Sequence, residues 1–310
     1  MPPLLKLLRP HQWAKNAFCF AGVVFGARLQ EPHALLNALA VVACFCAASS
    51  AIYVFNDTRD RDRDRLHPKK KSRPIASGQV SVGLASITGL VLAFAAIGGA
   101  LFLDWWILSH SPKGGGVTGG AVLPPWPTTL CVGLYVFLNF CYTVELKHRP
   151  IIDVNCVAAG FVLRLLAGIW VQGDTPTVWI VLCTFTLALL LAIAKRRSEL
   201  ATFDPAHEDQ RPVLLNYTLP FLDSLINSAA TVTVVSYALF TTLSGKNSTL
   251  FVTVPIVYYA VMRYKLLTMV RGQAEEPEKI VLKDRGIQAS IILWVLFYMT
   301  IVHADLRLFR

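Results

Sequence analysis

Four side chains at the end of an apolar stretch have types and spacing that suit chemistry: Asn56, Asp57, Asp60 and Asp64 in "FNDTRDRDRDRLHPKKKSRPIASG", residues 55 to 78. If the preceding helix continues through them, Asn56, Asp60 and Asp64 stand at i, i+4 and i+8 on one face with Asp57 beside Asp60. Three carboxylates and one amide oxygen then converge. Hard oxygen donors suit Mg²⁺, which keeps several waters and bridges to substrate phosphates instead of being caged by protein. Asp62 points to the opposite side of such a helix and falls outside the set. Lys69, Lys70, Lys71 and Arg73 follow closely. Cations beside a carboxylate cluster are what a metal–diphosphate site requires: the metal bridges acids to phosphates and the bases neutralise the remaining charge. Arg73, fixed by Pro74, is the preferred phosphate ligand, whereas the lysine run suits anionic lipid equally well. A plainer alternative is a solvated helix with Asp/Arg pairs such as Asp57 with Arg61. Such pairs contribute only ~0.3–0.5 kcal/mol each, and carboxylates at a lipid boundary are costly without a use.

The elements that must hold these groups are membrane helices. The 310 residues are 55% hydrophobic and 15% charged, and mean hydropathy is +0.52. A soluble domain is about 45–50% apolar and about 25% charged. The expected fold is all-α and polytopic. A span takes about 20 apolar residues, and nine segments qualify: about 16–29, 34–55, 82–103, 126–143, 151–171, 177–194, 223–243, 249–269 and 287–304, the first short and interrupted by glycine. No small-residue cleavage site follows a separate short apolar core, so no signal peptide is expected. With the N-terminus inside, 23 of the 29 lysines and arginines fall before the first span, or in the last turns of or after the even-numbered ones, which makes those connections cytoplasmic. The net charge of +10 thus reflects membrane orientation and not a nucleic-acid partner. The cytoplasmic connections also carry most of the acids, so an active site is expected at that end of the helices. The Gly/Pro-rich outer loop at 109–127 carries no assigned chemistry. The seven cysteines are scattered through apolar segments without CxxC or zinc-like pairing with histidine, and read as small buried hydrophobes.

"NDTRDRDRD" resembles the NDxxDxxxD motif of the UbiA-type intramembrane prenyltransferases, and its place after the second span, followed by "SRPIASG", is similar too. The resemblance covers essentially the whole chain. It implies one transmembrane domain over 1–310, with a first half of about 1–143, a second half of about 144–286, a final helix of about 287–304 and an internal four-helix repeat. It also implies a Mg²⁺-dependent transferase in which Asn56, Asp57, Asp60 and Asp64 hold metal and diphosphate; members of the family often form homo-oligomers. Members usually carry a second acidic DxxxD motif after the sixth span. This sequence has "AIAKRRSEL" instead, where Lys195, Arg196 and Arg197 replace the acids and Glu199 keeps one carboxylate. Cations in that place suit a substrate that brings more negative charge of its own. "LLRPHQWAKN" (7–16), "YTVELKHRPIIDVNCVAAGFVLRLLAG" (142–168) and "AKRRSEL" (194–200) look like the decaprenyl-phosphate phosphoribosyltransferases of bacteria, which join phosphoribosyl diphosphate to a polyprenyl phosphate in the cytoplasmic membrane.

That resemblance gives the remaining polar residues roles. Asp153 begins the fifth span and Arg164 lies eleven residues on, three turns deeper on roughly the same face. An arginine within a span is expensive unless it meets a partner or an anion. The lipid phosphate is expected near Lys15, Lys147 and Arg164, with Tyr142 at the same mouth, while Lys195, Arg196 and Glu199 read the 5-phosphate and ribose hydroxyls. The nucleophile is already an anionic phosphate oxygen, so no histidine is needed as base, and His67 and His148 read as loop residues. Prenyl transfer from a prenyl diphosphate to an aromatic or haem acceptor is the competing enzymatic reading; it needs the acidic motif that "AKRRSEL" lacks. A transporter would place its ionisable groups near the bilayer midplane, not at the rim.

Overall fold

The computed structural model describes residues 2–66, 70–110, 124–202, 212–245, 247–270, 280, 283–304 and 306–308. Lys69, His67 and most of the 109–127 loop lie outside them. The helices are α1 (Pro3–Leu8), a 3₁₀ stretch (Pro10–Phe20), α2 (Ala21–Phe25), α3 (Pro32–Arg59), α4 (Arg61–Leu66), α5 (Val82–His110), α6 (Pro127–Val144), α7 (Ile152–Trp170), α8 (Val178–Ala201), α9 (Leu219–Leu243), α10 (Val254–Met269) and α11 (Arg285–His303). In lipid every backbone polar group must be satisfied internally, which helices achieve segment by segment. Start signals are local: Pro32 and Pro127 open α3 and α6, while Thr177, Thr218 and Asp284 cap α8, α9 and α11 through their side chains.

Eight helices among the described residues are long and apolar enough to cross a membrane, and each matches one of the expected segments. The ninth, 16–29, is built differently. It is a 3₁₀ stretch followed by the five-residue α2, because this part of the chain lies backbone to backbone against α7. A Cβ added to Gly168 would stand 2.1 Å from the Cys19 carbonyl oxygen, and one on Gly22 would stand 2.0 Å from the Gly168 carbonyl oxygen. Only glycine permits that approach.

The chain divides into two compact units, Met1–Leu146 with Leu163–Thr175, and Lys147–Val162 with Pro176–Arg310. The first packs Val41, Phe45 and Ala48 of α3 with Ala96 and Ala100 of α5, Cys131 and Tyr135 of α6, and Ala167 of α7. Small residues dominate because helices in lipid associate by close packing and not by escape from water. The other side of α5 presents Ile87, Leu90, Phe94 and Phe102, with Phe94 74% exposed, and such a surface suits lipid tails. The second unit is centred on Val154 of α7, Leu190 and Ile193 of α8, Val213, Tyr217, Ile226 of α9 and Leu267 of α10.

Candidate active site

In the first unit the acidic motif sits where α3 ends. Asp60 leaves helical geometry (φ −89°, ψ 7°), but its N–H donates to the Asn56 carbonyl at 2.9 Å and the Asp64 N–H donates to the Asp60 carbonyl at 2.8 Å. The fourfold spacing therefore survives a break in the helix. Asp57 and Asp64 turn inward and are buried, at 2% and 3% exposure, while Asn56 and Asp60 are half-buried and Asp62 is exposed. Arg73 Nη1 bridges the pair, 2.9 Å from Asp57 Oδ1 and 2.6 Å from Asp64 Oδ2. Arg9 Nη2 adds a second cation 2.6 Å from Asp57 Oδ1, and its guanidinium lies over the Tyr53 ring. These two, and not the Arg61 of the plainer alternative, are the cations that meet Asp57. Burial pushes the Asp64 carboxyl up, with the Arg73 charge opposing.

Three carboxylates converging on one point, as a continuous helix predicts, do not form: among the described residues no three His, Cys, Asp or Glu gather into a ligand group. The break at Asp60 and the two arginines drawn in by Asp57 are the reason. What does converge is a pair of buried carboxylates on one positive nitrogen, with oxygen-bearing Asn56 and Asp60 on the same segment. An all-oxygen set that already holds a cation fits a hard divalent ion whose other ligands are waters and phosphate.

Arg164 lies deeper in the same unit and is 4% exposed. Its Nε donates to Asn16 Oδ1 at 2.7 Å and its Nη2 to the Tyr135 hydroxyl at 2.9 Å. The guanidinium is 4.5 Å from the Tyr135 ring centroid and 5.6 Å from that of Phe45, within cation–π range. Lys15 and Tyr142 are half-buried in this unit.

The second unit holds the basic motif. Asp153 is fully buried and Arg196 is 4% exposed. Arg196 Nε donates to Asp153 Oδ2 at 2.6 Å and Nη1 to Glu199 Oε2 at 2.9 Å. The Tyr217 hydroxyl donates to Asp153 Oδ1 at 2.9 Å and accepts the Ile151 N–H at 2.5 Å. Burial raises the Tyr217 hydroxyl to about 12, so it keeps its proton and serves as that donor. Arg197 pairs with Asp223; Lys195 and Lys147 are half-buried. The structure thus joins Asp153 to Arg196 and Glu199, a pair that the sequence places together but apart from Asp153, in one chain of charge-assisted hydrogen bonds.

Sequence reasoning missed Arg9, Asn16, Tyr135 and Tyr217 as partners, and considered Arg61 only as a partner of Asp57. Arg61 follows the acidic motif's central Asp60, and its Nε is buried without a hydrogen-bond partner, which an anionic oxygen would satisfy. Only the phrase "LLRPHQWAKN" held a signal for Arg9 and Asn16, and nothing local marked the two tyrosines.

A model of the UbiA prenyltransferase family matches residues 16–112. The chain is 31% identical over 309 residues to a decaprenyl-phosphate phosphoribosyltransferase of Mycolicibacterium smegmatis, covering 94% of this chain and 90% of that protein. It is 31% identical over 301 residues to one of Corynebacterium glutamicum, covering 94% and 84%. A solved structure of a UbiA homolog from Archaeoglobus fulgidus, bound to GPP and Mg²⁺, superposes with a TM-score of 0.71 at 19% identity, over 97% of this chain and 99% of that one. Identity sustained over nearly the full length, together with a shared fold, means that the chain belongs to the UbiA prenyltransferase family.

Proposed function

We propose that the protein transfers the 5-phosphoribosyl group of phosphoribosyl diphosphate to a polyprenyl phosphate, a decaprenyl phosphate in the named relatives, and releases diphosphate for cell-envelope glycan synthesis. The observation that carries this reading is the division of labour between two clusters, buried carboxylates at Asp57 and Asp64 and a basic run at Lys195, Arg196 and Arg197 where another acidic motif is usual. A donor with a diphosphate at one end and a 5-phosphate at the other calls for both kinds.

Asn56, Asp57, Asp60 and Asp64 would hold Mg²⁺, which supplies positive charge to the leaving diphosphate as the C1–O bond breaks. Arg73 and the unsatisfied Arg61 Nε offer cationic donors to diphosphate oxygens. A lipid phosphate oxygen forms the new bond to C1 from the opposite face, and the electron pair of the breaking bond leaves with diphosphate. The transition state is oxocarbenium-like, as in other glycosyl transfers. No proton has to move, so no general base is assigned. Lys15, Lys147 and Arg164, with Tyr142, receive the lipid headgroup; Lys195, Arg196 and Glu199, oriented by Asp153, read the ribose 5-phosphate end. The distribution of basic residues supports a bacterial cytoplasmic membrane location with the N-terminus and these clusters on the cytoplasmic side.

The test is diphosphate release by purified protein in detergent with Mg²⁺, comparing phosphoribosyl diphosphate plus polyprenyl phosphate against a prenyl diphosphate plus 4-hydroxybenzoate. Release is expected with the first pair only and is expected to be lost in Asp60→Asn. Release with the second pair alone refutes the reading, and full activity of Asp60→Asn at saturating Mg²⁺ refutes the metal assignment.

A further inference from the structure

Ile151 has φ +67°, in the left-handed region where a β-branched side chain is sterically disfavoured. Its side chain is 50% exposed, so burial does not offset the strain. What holds the turn is hydrogen bonding: the Ile151 carbonyl accepts from the Asn155 N–H at 3.1 Å and from Asn155 Nδ2 at 2.8 Å, and its N–H donates to the Tyr217 hydroxyl at 2.5 Å. Strain that persists because its surroundings fix it is a feature of sites that need a set geometry.

Tyr217 is delivered from far along the chain, just after the 3₁₀ turn Pro212–Asn216 and before α9. Its ring is 5% exposed, sits in the core of the second unit and stacks on Phe221, so the hydroxyl has little freedom. That one oxygen meets both the strained turn that follows Lys147 and the Asp153–Arg196–Glu199 chain.

We propose that Tyr217 is a positioning residue that sets the basic reading head for the sugar donor, locking the turn after Lys147 to the Asp153–Arg196 pair through its hydroxyl. It touches no reacting atom. The inference rests on the assignment of Lys147, Lys195, Arg196 and Glu199 to substrate binding, and goes beyond it by naming what fixes their geometry. With the hydroxyl gone, Ile151 loses the one of these bonds that its N–H makes, and Asp153 loses one of its two anchors.

The experiment compares wild type, Tyr217→Phe, Ile151→Gly and the double variant. Steady-state kinetics with phosphoribosyl diphosphate and polyprenyl phosphate are combined with amide hydrogen exchange over residues 147–156. Tyr217→Phe is expected to raise KM for the sugar donor about 10-fold, the weight of roughly one hydrogen bond. The kcat should stay within about twofold of wild type, since ground-state binding groups are disturbed, and KM for the lipid should rise less than that for the donor, because of the residues that receive the lipid only Lys147 adjoins the turn. Exchange at Ile151 should accelerate. Ile151→Gly in the Tyr217→Phe background should recover most of the donor KM, because glycine takes positive φ without strain. An unchanged donor KM, or an equal loss for both substrates without rescue, overturns the inference. If wild type does not turn over this substrate pair, the functional reading fails separately. Exchange then decides the clamp: acceleration at Ile151 in Tyr217→Phe supports it, and wild-type exchange overturns it.

Discussion

Replacing Arg196 by methionine keeps the apolar stem and removes the charge that faces Asp153 across 2.6 Å, in a site where the two side chains are 4% and 0% exposed. An ion pair with charge centres about 4 Å apart at an effective dielectric constant near 20 attracts by about 4 kcal/mol. Stranding one buried partner costs about 3–5 kcal/mol, so both routes give the same size of loss. Glu199, 19% exposed, can turn to water and adds little. The reverse variant, Asp153→Leu, strands Arg196 with Glu199 still at hand and is expected to cost about 3 kcal/mol. The double variant Asp153→Leu/Arg196→Met buries no unpaired charge. It should cost only about 1–3 kcal/mol, from the Tyr217 hydroxyl left without its acceptor. A double-mutant cycle measured by equilibrium unfolding in mixed micelles should therefore show coupling of several kcal/mol. Strict additivity of the two single losses, or a loss below about 1 kcal/mol for Arg196→Met, would refute the assignment of this pair as a buried, mutually dependent unit.

Gly168→Ala should abolish stable folding of the first unit, because its Cβ would stand 2.1 Å from the Cys19 carbonyl oxygen, a contact no side-chain rotation relieves; size-exclusion behaviour in detergent reports it. Asp104, 2% exposed on α5, accepts from the Thr128 and Thr129 N–H groups at 3.2 and 2.8 Å, capping α6 from another helix. Asp104→Ala should lower stability by about 1–2 kcal/mol, and a wild-type melting curve would dismiss the cap. The Arg263 guanidinium and the Ile287 N–H hold the Asp284 carboxyl below its ordinary range. Its contribution to stability is present above the unfolded carboxylate pKa and is lost as pH falls through the lowered value. Asp284→Asn should accordingly flatten the acid limb of the melting temperature against pH.

The membrane class, eight of the helices and the identity of the acidic segment were legible in the sequence because each is a local signal. Hydrophobic length fixes a span, proline and threonine at first turns fix where helices begin, and a four-residue spacing fixes which aspartates share a face. The segment 16–29, which reads as a short, glycine-interrupted span, is instead a 3₁₀ stretch and a five-residue helix, because its shape follows from contact with Gly168, about 150 residues away in the sequence, and no window of local composition contains that contact. The buried state of Asp57 and Asp64 was foreseeable in part, since both belong to the spaced set, whereas Arg9 as a partner of Asp57 was not.

What the sequence determined by itself is therefore the kind of chemistry: hard oxygen donors after one span, cations after another, and a bilayer as solvent. What only the tertiary structure decided is which charges neutralise which. Arg73 rather than Arg61 meets Asp57 and Asp64, Arg196 meets Asp153, and Arg164 meets an amide and an aromatic hydroxyl. The physical reason is that a charge in a low-dielectric interior is stabilised by whichever partner the packing brings within about 3 Å, and packing joins residues 148 positions apart as readily as neighbours.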